Sequence, residues 1–167
     1  MHAQAANWIR EQVVRFGLFN ADAVDLGGRD VNGTIHQFFR DPVTVVDIMD
    51  GPGVTYVTDA ATWEPDREYQ VALATEVFEH TPSWPLIIRT AWKAVIPEGM
   101  FLGTCASRSR PPHSAIDGGP LREGEFYRNV DPEVMRAVMK NQGWRLWDVV
   151  EADGYFGDDD LYCWGIK

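Results

Sequence analysis

Cysteine is scarce in this sequence. Only two cysteines occur in 167 residues, and Cys105 and Cys163 both stand in apolar stretches. Neither has a second cysteine at the spacing of a zinc site, and two cysteines cannot form the multiple bridges of a disulfide framework. The sequence therefore predicts two free, buried thiols that behave as small apolar side chains.

Positive charge and long apolar runs are also in short supply. The 15 lysines and arginines are outnumbered by 25 aspartates and glutamates, so the formal net charge is −10. Non-specific nucleic-acid binders need the opposite balance, because their affinity comes from neutralising phosphates. No apolar run reaches the roughly 20 residues that span a bilayer, and no secretory signal pattern is present. These absences predict a cytoplasmic protein without nucleic-acid or membrane partners.

The order of the apolar segments predicts an α/β fold. Strand-like runs at residues 23–26, 43–48, 54–57, 71–75 and 100–105 alternate with helix-like segments at 3–16, 34–39 and 84–95. A further helix begins at Asp131 and ends at Gly143. Two closing strands, 144–150 and 161–166, have no helix between them. We expect one domain over residues 1–167, with a doubly wound, mostly parallel seven-stranded sheet and an antiparallel C-terminal edge strand.

Three strand ends carry residues suited to an adenosine-containing cofactor. The turn after the first strand is acidic and rich in glycine, and it holds Asp25, Gly27, Gly28 and Gly33. Glycine lets a backbone approach a ligand closely. Asp47 ends the second strand, where a carboxylate can accept hydrogen bonds from ribose hydroxyls. Asp59 and Ala60 end the third, where a carboxylate and a backbone N–H can bind adenine. Each signal alone also fits an ordinary turn or helix cap, so their order is the specific evidence.

Together these signals resemble the class I S-adenosylmethionine-dependent methyltransferases, a Rossmann-like family, over almost the whole chain. VALATEVFEHTP resembles the fourth-strand motif of that family, and AVIPEG resembles the turn before its fifth strand. GGRDVNGT and VDIMDGPGV further resemble a bacterial and phage subgroup with a GxDVNG glycine loop. The resemblance implies an enzyme that uses S-adenosylmethionine. The implied cofactor contacts are Asp25, Gly27, Gly28, Gly33, Asp47, Ile48, Asp59, Ala60 and Glu76.

The glycine loop departs from the family pattern. The usual acidic-x-Gly-x-Gly-x-Gly motif has glycines where this chain has Arg29 and Val31. The loop is therefore expected to be rearranged, with Gly28, Asn32 and Gly33 as substitutes. A nicotinamide-dependent enzyme would need a G-x-G-x-x-G opening, and this sequence has none.

Two interpretations stay open for the acceptor end. Glu76, Glu79 and His80 follow the fourth strand and would share one face of a helix. In the first interpretation, His80 is a general base that takes a proton from a hydroxyl acceptor. In the second, Glu76, Glu79, His80 and His113 bind Mg²⁺ or Mn²⁺. The E-x-x-E-H pattern with a downstream histidine resembles metal-dependent O-methyltransferases. The predicted catalytic residues are His80, Glu79 and His113.

The segment 107–130 is expected to cover the acceptor. It is rich in arginine, proline and glycine, and its basic and aromatic residues are Arg108, Arg110, Arg122, Arg128, Phe126 and Tyr127. This mixture suits a sugar or a phosphate-bearing acceptor. Elsewhere, His2 and His36 have no partners in sequence and are expected at the surface. The acidic tract at residues 158–160 is expected to be a turn between strands.

The sequence therefore predicts transfer of a methyl group from S-adenosylmethionine to a hydroxyl of a small molecule, sugar or glycan. A nucleic-acid methyltransferase is one alternative. It is disfavoured by the net charge and because TEVF replaces the polar-Pro-Pro-aromatic tetrapeptide of amino-group DNA methylases. A non-catalytic subunit that binds S-adenosylmethionine or another adenosine compound is the other alternative. Such a subunit would not need Glu76, Glu79 and His80.

Overall fold

The structure, a computed structural model, describes residues 2–152 and 160–167. Its α-helices are α1 (Ala3–Phe16), α2 (Trp84–Ala94) and α3 (Pro132–Gln142). Its strands are β1 (Ala23–Leu26), β2 (Thr44–Asp47), β3 (Tyr56–Val57), β4 (Tyr69–Thr75), β5 (Val95–Ala106), β6 (Leu146–Ala152) and β7 (Asp160–Ile166). Asp158 and Asp159 of the acidic tract lie outside the described residues. Asp160 belongs to β7, not to a turn. None of the described helices is long and apolar enough to cross a membrane.

Among the described residues, the strands form one seven-stranded sheet in the order β3-β2-β1-β4-β5-β7-β6. Strands β1 to β5 are parallel, and β7 runs antiparallel to both β5 and β6. This confirms the predicted mostly parallel α/β sheet and the antiparallel closing pair. Within that pair β6 is the outermost strand, because β7 inserts beside β5.

The strands at the centre of the sheet are apolar along their whole length because helices cover both faces. In β4 the sequence YQVALAT leaves only Gln70 exposed, which is typical of a central parallel strand. Helix α1 buries Ile9 and Val13 on one face. Helices α2 and α3 bury Ile88 and Met135 on the other.

The connections on the β3 side of the sheet contain little helix. The helix predicted at residues 34–39 is wrong, since only His36–Phe38 forms a single 3₁₀ turn. The Phe39 backbone is already extended, with φ −110° and ψ 143°. The Thr34 hydroxyl accepts from the His36 N–H, which turns the chain locally instead of starting an α-helix. Loops therefore surround the carboxyl ends of β1 and β2.

Helix α3 begins and ends as predicted. The Asp131 carboxylate accepts from the backbone N–H groups of Glu133 and Val134, at 2.8 and 3.3 Å. Gly143 ends the helix with a left-handed backbone, φ 94°. The helix packs on β6 and places Met135 and Met139 in the core.

We predict that Asp131→Ala lowers the free energy of unfolding by about 1 kcal/mol, because two N-terminal amides lose their acceptor. Such a loss shifts Tm by about 2–4 °C in a chain of this size. Asp131→Ser is the control, since serine is also a good N-cap. Urea denaturation of the three proteins measures the difference. Equal stability of the alanine and serine variants would contradict the assigned cap.

Candidate functional site

A cavity of about 310 Å³ opens at the carboxyl ends of β1, β2 and β4. It lies where the sheet grows in opposite directions from β1 and β4, which is where ligands bind in open α/β sheets. All nine predicted cofactor contacts line it: Asp25, Gly27, Gly28, Gly33, Asp47, Ile48, Asp59, Ala60 and Glu76. His80 and His113 also line it, whereas Glu79 lies behind the wall and is fully buried.

The glycine loop runs too close to its neighbours for larger residues. A Cβ at Gly28 would lie 2.4 Å from the Asp25 carboxylate. Gly27 has φ 88°, and a Cβ there would lie 2.5 Å from a Val77 methyl. The Gly27 N–H donates to the Val46 carbonyl at 2.7 Å, which holds the loop against β2. The loop therefore needs glycine for both conformation and space.

Asp25 is buried and paired with a residue that the sequence did not indicate. His36 Nε2 lies 2.9 Å from Asp25 Oδ2, so the expectation that His36 is a surface residue is wrong. The 3₁₀ turn carries His36 back over the glycine loop. Asp25 Oδ1 is buried without a hydrogen-bond partner among the described residues. Because an unpaired buried acceptor is costly, this atom is available to a ligand donor.

Asp47 and Asp59 present carboxylates to the same cavity. Asp47 Oδ2 accepts a hydrogen bond from the backbone N–H of Arg29 at 3.1 Å, and Asp47 Oδ1 accepts one from the backbone N–H of Met49 at 2.8 Å. Asp59 Oδ1 accepts from the Ala61 N–H at 2.8 Å. A carboxylate has about four lone-pair sites, so both groups keep capacity for ligand hydroxyl or amino groups.

Glu76 occupies a strained position at the end of β4. Its φ is 58°, an uncommon value for a residue other than glycine, asparagine or aspartate. Thr104 Oγ1 donates to Glu76 Oε1 at 2.9 Å, and His2 Nε2 lies 3.1 Å from Glu76 Oε2. Burial opposes ionisation, but the hydrogen bond from His2 and the charges of His2 and Arg110 keep the pKa of Glu76 below its ordinary value.

His2 lies in this charge cluster and not at the surface as expected. Its Nε2 is 3.1 Å from Asp160 Oδ2, and Arg110 Nη1 lies 2.6 Å from Asp160 Oδ1. His2 and Arg110 therefore face two carboxylates, Glu76 and Asp160, and Arg110 Nη1 also lies 2.9 Å from His2 Nε2. Although burial acts against it, hydrogen bonding to Asp160 and Glu76 raises the pKa of His2 to about 10.

A second polar group forms at the acceptor end from Glu79, His80 and His113. One ligand atom from each lies within 4.8 Å of the others. The backbone turns at Glu76 and then forms a 3₁₀ helix at Phe78–His80. Glu76 therefore does not share a helical face with Glu79 and His80. Of the four metal ligands predicted from the sequence, Glu79, His80 and His113 cluster, whereas Glu76 lies with His2 and Asp160.

Several polar atoms in and beside this second group form few hydrogen bonds or none with the described residues. Glu79 Oε1 accepts from the Ala106 N–H at 3.2 Å, but Glu79 Oε2, His80 Nδ1 and Tyr127 Oη are buried without hydrogen-bond partners among the described residues. The rings of His80, His113 and Tyr127 pack edge-on, with centroids 4.9 to 5.4 Å apart. Burial, and then the charge of Glu76, raise the pKa of Glu79 to about 8. Burial and His113 lower the pKa of His80 to about 4, so its imidazole is neutral at neutral pH.

The loop at residues 107–130 covers the cavity and supplies His113, Ser114, Ala115 and Gly118 to its wall. Near the C-terminal end of the loop, the backbone N–H of Arg128 donates to the Glu79 carbonyl at 2.8 Å and fixes the loop there. Within the loop, the Ser114 hydroxyl donates to Glu125 Oε1 at 2.8 Å. These bonds hold His113 against His80.

The arginines of this loop do not form the positive surface expected from the sequence. Arg108, Arg110 and Arg122 pair with Glu151, Asp160 and Asp117, respectively. Arg128 is exposed and is not part of the cavity wall. The expected preference for a phosphate-bearing acceptor is weakened, because Arg110 is held by the buried Asp160 and Arg128 lies outside the cavity wall, although Arg108 and Arg122 stay exposed in their pairs.

Sequence reasoning missed Arg29 as a cavity residue. Its guanidinium Nε lies 3.9 Å from Asp47 Oδ1, and Nη2 donates to the carbonyls of Ala115 and Ile116 at 3.3 and 3.4 Å. The only sequence signal was that this position departs from the glycine pattern. The partners of His2 and His36 have no sequence signal, because the fold brings them from distant segments.

Sequence comparisons identify no relative of this chain. No family model matches it, and no curated protein matches it significantly.

Solved structures match the fold over nearly its whole length. One is the 1,6-didemethyltoxoflavin-N1-methyltransferase of Burkholderia thailandensis with bound 1,6-didemethyltoxoflavin and S-adenosylhomocysteine (TM-score 0.72, 14% identity, covering 98% of this chain and 78% of that one). A second is an S-adenosylmethionine-dependent methyltransferase from Mesorhizobium loti (TM-score 0.70, 15% identity, 97% and 98% covered). A third is the magnesium protoporphyrin IX methyltransferase of Synechocystis PCC 6803 with bound S-adenosylhomocysteine (TM-score 0.67, 11% identity, 98% and 82% covered). The chain therefore has the Rossmann-like fold of these methyltransferases.

We predict that His2 stabilises the folded protein in a pH-dependent way. Its folded pKa of about 10 is higher than the ordinary 6.5, so the contribution is fully present below pH 6.5 and is lost as pH rises through the folded value. The unfolding free energy of wild type minus that of His2→Gln should therefore decrease towards alkaline pH.

Urea denaturation across this pH range tests the prediction. Asn7→Gln is the control, since Asn7 is exposed on α1, the helix that begins directly after His2, and does not titrate. A wild-type advantage over His2→Gln that stays constant or grows with pH would contradict the assigned ion pairs.

Proposed function

We propose that this chain is an S-adenosylmethionine-dependent methyltransferase that acts on a small molecule. The observation that carries the proposal is the single cavity that Asp25, Asp47 and Asp59 line at one end and His80 and His113 line at the other. The three aspartates follow successive strands of a methyltransferase-like sheet, in the order that the cofactor-binding motifs require. The histidines then stand where an acceptor would meet the reactive end of the cofactor.

The residues of the cavity fit S-adenosylmethionine. Asp47 would bind the ribose hydroxyls, and Asp59 with the Ala60 backbone would bind adenine. Ile48 is 70% exposed at the cavity, so its apolar side chain is free to pack against the adenine ring. Asp25 Oδ1 has no hydrogen-bond partner in the described part of the chain and lies beside the glycine loop, so this end suits the ammonium-bearing methionine part. The acidic lining also favours a cationic cofactor.

The cofactor supplies, when bound, an electrophilic methyl group on a positively charged sulfur. The protein then has to align an acceptor and keep water out. His80 lines the cavity and can accept the proton that a hydroxyl acceptor loses, although its pKa of about 4 makes it a weaker base than an ordinary histidine. His113 and Tyr127 pack against the His80 ring and restrict its orientation. Closure by the loop at residues 107–130 shields this end of the cavity from solvent.

A small acceptor is supported by the size and charge of the site. The cavity volume of about 310 Å³ lies at the lower end of the roughly 300–1,000 Å³ typical of ligand pockets, and the cofactor must share it. Arg108, Arg110 and Arg122 of the loop are paired with carboxylates, and Arg128 is not part of the cavity wall. A neutral hydroxyl compound, including a sugar, is therefore favoured over a nucleic acid.

A divalent cation is a second candidate for activating the acceptor. Glu79, His80 and His113 offer one carboxylate oxygen and two imidazole nitrogens within 4.8 Å, a donor set compatible with Mn²⁺ or Mg²⁺. The unpartnered Glu79 Oε2 and His80 Nδ1 favour this alternative. Glu79 would have to lose its proton, because metal ligands bind deprotonated.

We predict that S-adenosylhomocysteine binds the wild type and binds Asp47→Asn and Asp59→Asn more weakly. A hydrogen bond to a charged group contributes about 1.5–3 kcal/mol, which corresponds to a loss of affinity of about 10- to 100-fold. Isothermal titration calorimetry measures it, with the exposed Asp41→Asn as the control. No binding by the wild type would overturn the proposed function. Unchanged affinity in both variants would overturn the pocket assignment.

We predict that His80→Gln lowers kcat by about 10²- to 10⁴-fold without weakening S-adenosylhomocysteine binding, because it removes a proton acceptor and not a cofactor contact. The assay uses methyl-labelled S-adenosylmethionine and a panel of small hydroxyl and amine compounds. Recovery of label on nitrogen only, with a normal rate in His80→Gln, would refute hydroxyl methylation.

Mn²⁺ titration followed by electron paramagnetic resonance distinguishes activation of the acceptor by His80 as a base from activation by a divalent cation. If a cation is used, the wild type and His2→Gln bind Mn²⁺, and His113→Ala loses the site. Equal Mn²⁺ binding in the wild type and His113→Ala would exclude the Glu79–His80–His113 site.

A further inference from the structure

Arg29 joins the two halves of the cavity. It follows the glycine loop, and its side chain crosses the carboxyl end of β2 to reach the loop at residues 107–130. Arg29 Nη2 donates to the Ala115 and Ile116 carbonyls at 3.3 and 3.4 Å. Its Nε lies 3.9 Å from Asp47 Oδ1. One side chain therefore contacts both the ribose-binding carboxylate of the proposed function and the cover of the acceptor end.

The space for this side chain is built by a second segment. A Cβ at Gly51 would lie 3.1 Å from Arg29 Cδ and 3.2 Å from Arg29 Cγ. Gly51 belongs to the DGPG turn after β2, and it leaves room for the aliphatic part of the arginine. The arginine in GGRDVNGT and the glycine in VDIMDGPGV are therefore complementary, although the sequence places them 22 positions apart, since 51 − 29 = 22.

The described residues do not use the full hydrogen-bonding capacity of the Arg29 guanidinium. The Arg29 side chain is 15% exposed, and its Nε is buried without a hydrogen-bond partner among the described residues. Its two bonds to loop carbonyls are longer than the usual 2.7–3.2 Å. Asp47 Oδ1, the nearest carboxylate oxygen, already accepts from the Met49 N–H. A buried N–H donor beside an acceptor with spare capacity is completed by a hydroxyl, which donates and accepts at once.

We propose that Arg29 is a positioning residue that couples cofactor binding to closure of the loop at residues 107–130. The inference rests on the proposed function, because the hydroxyl that completes the Asp47–Arg29 pair belongs to the cofactor ribose. When that hydroxyl accepts from Nε, the guanidinium is held in place, and Nη2 in turn holds Ala115 and Ile116. The same stretch of loop carries His113 and Ser114 to the acceptor end. Cofactor binding therefore stabilises the covered form of the acceptor site that these contacts already hold.

Hydrogen–deuterium exchange of residues 113–122 tests the coupling without an acceptor and without turnover. The proteins are the wild type, Arg29→Lys, Arg29→Ala and the control Arg40→Lys, which changes an exposed arginine outside the cavity wall. Each is measured alone and with saturating S-adenosylhomocysteine, whose affinity is obtained by calorimetry. We expect the ligand to slow exchange in the wild type and the control by about tenfold. We expect less than about twofold slowing in the two Arg29 variants.

The ligand-dependent change distinguishes coupling from a merely structural role. If Arg29 only stiffened the loop, its loss would raise exchange equally with and without the ligand. Equal slowing in all four proteins would overturn the inference and leave the proposed function intact. Complete loss of binding in Arg29→Lys would also overturn it, because Arg29 would then be required for cofactor binding itself and not for its coupling to the loop. Absence of binding in the wild type would overturn the proposed function itself.

Discussion

The parallel pairing of β1 with both β2 and β4 is the constraint on which the rest of this structure depends. The sheet grows from β1 towards β3 on one side and from β4 towards β6 on the other. The connections leaving β1 and β4 therefore separate, and a cavity forms between them. Asp25, Asp47 and Glu76 reach the same cavity because parallel strands end at the same edge. Glycine in the loop after β1 keeps this cavity open, since a larger residue at position 28 would displace the Asp25 carboxylate.

Charge is distributed differently at the two ends of the cavity. At the cofactor end, aspartates accept from backbone amides and keep free lone pairs, so that end is acidic and suits a cation. Beside it, the negative charges of Glu76 and Asp160 are offset by His2 and Arg110. These contacts link the start of α1, the end of β4, strand β7 and the covering loop. At the acceptor end, burial keeps His80 neutral and raises the pKa of Glu79. The cavity therefore combines an acidic end beside the glycine loop with an end near His80 that is close to uncharged, and this suits the proposed methyl transfer from a sulfonium to a neutral acceptor.

The cofactor half of the site could be predicted from the sequence because its signals are local. Asp47 and Asp59 stand where apolar strands end, and strand ends can be read from hydrophobic patterning. The helix predicted at residues 34–39 did not extend beyond one 3₁₀ turn, because the Thr34 hydroxyl accepts from the His36 N–H. The His36 side chain also contacts Asp25, and patterning cannot detect such a contact between segments. The helical face expected for Glu76, Glu79 and His80 failed because the backbone of Glu76 has a positive φ. Nothing in the residue type of Glu76 indicates that conformation.

By itself, the sequence determined the α/β class, the antiparallel closing pair, the cap of α3 and the aspartates and glycines that line the cavity. Each of these depends on the period of apolar residues or on a residue next to a strand or helix end. Only the tertiary structure decided that His2 and His36 pair with buried carboxylates, that the loop arginines are neutralised, and that Arg29 spans the cavity. These features depend on distances between segments far apart in the chain, and such distances are set by the packing of the whole sheet and its helices.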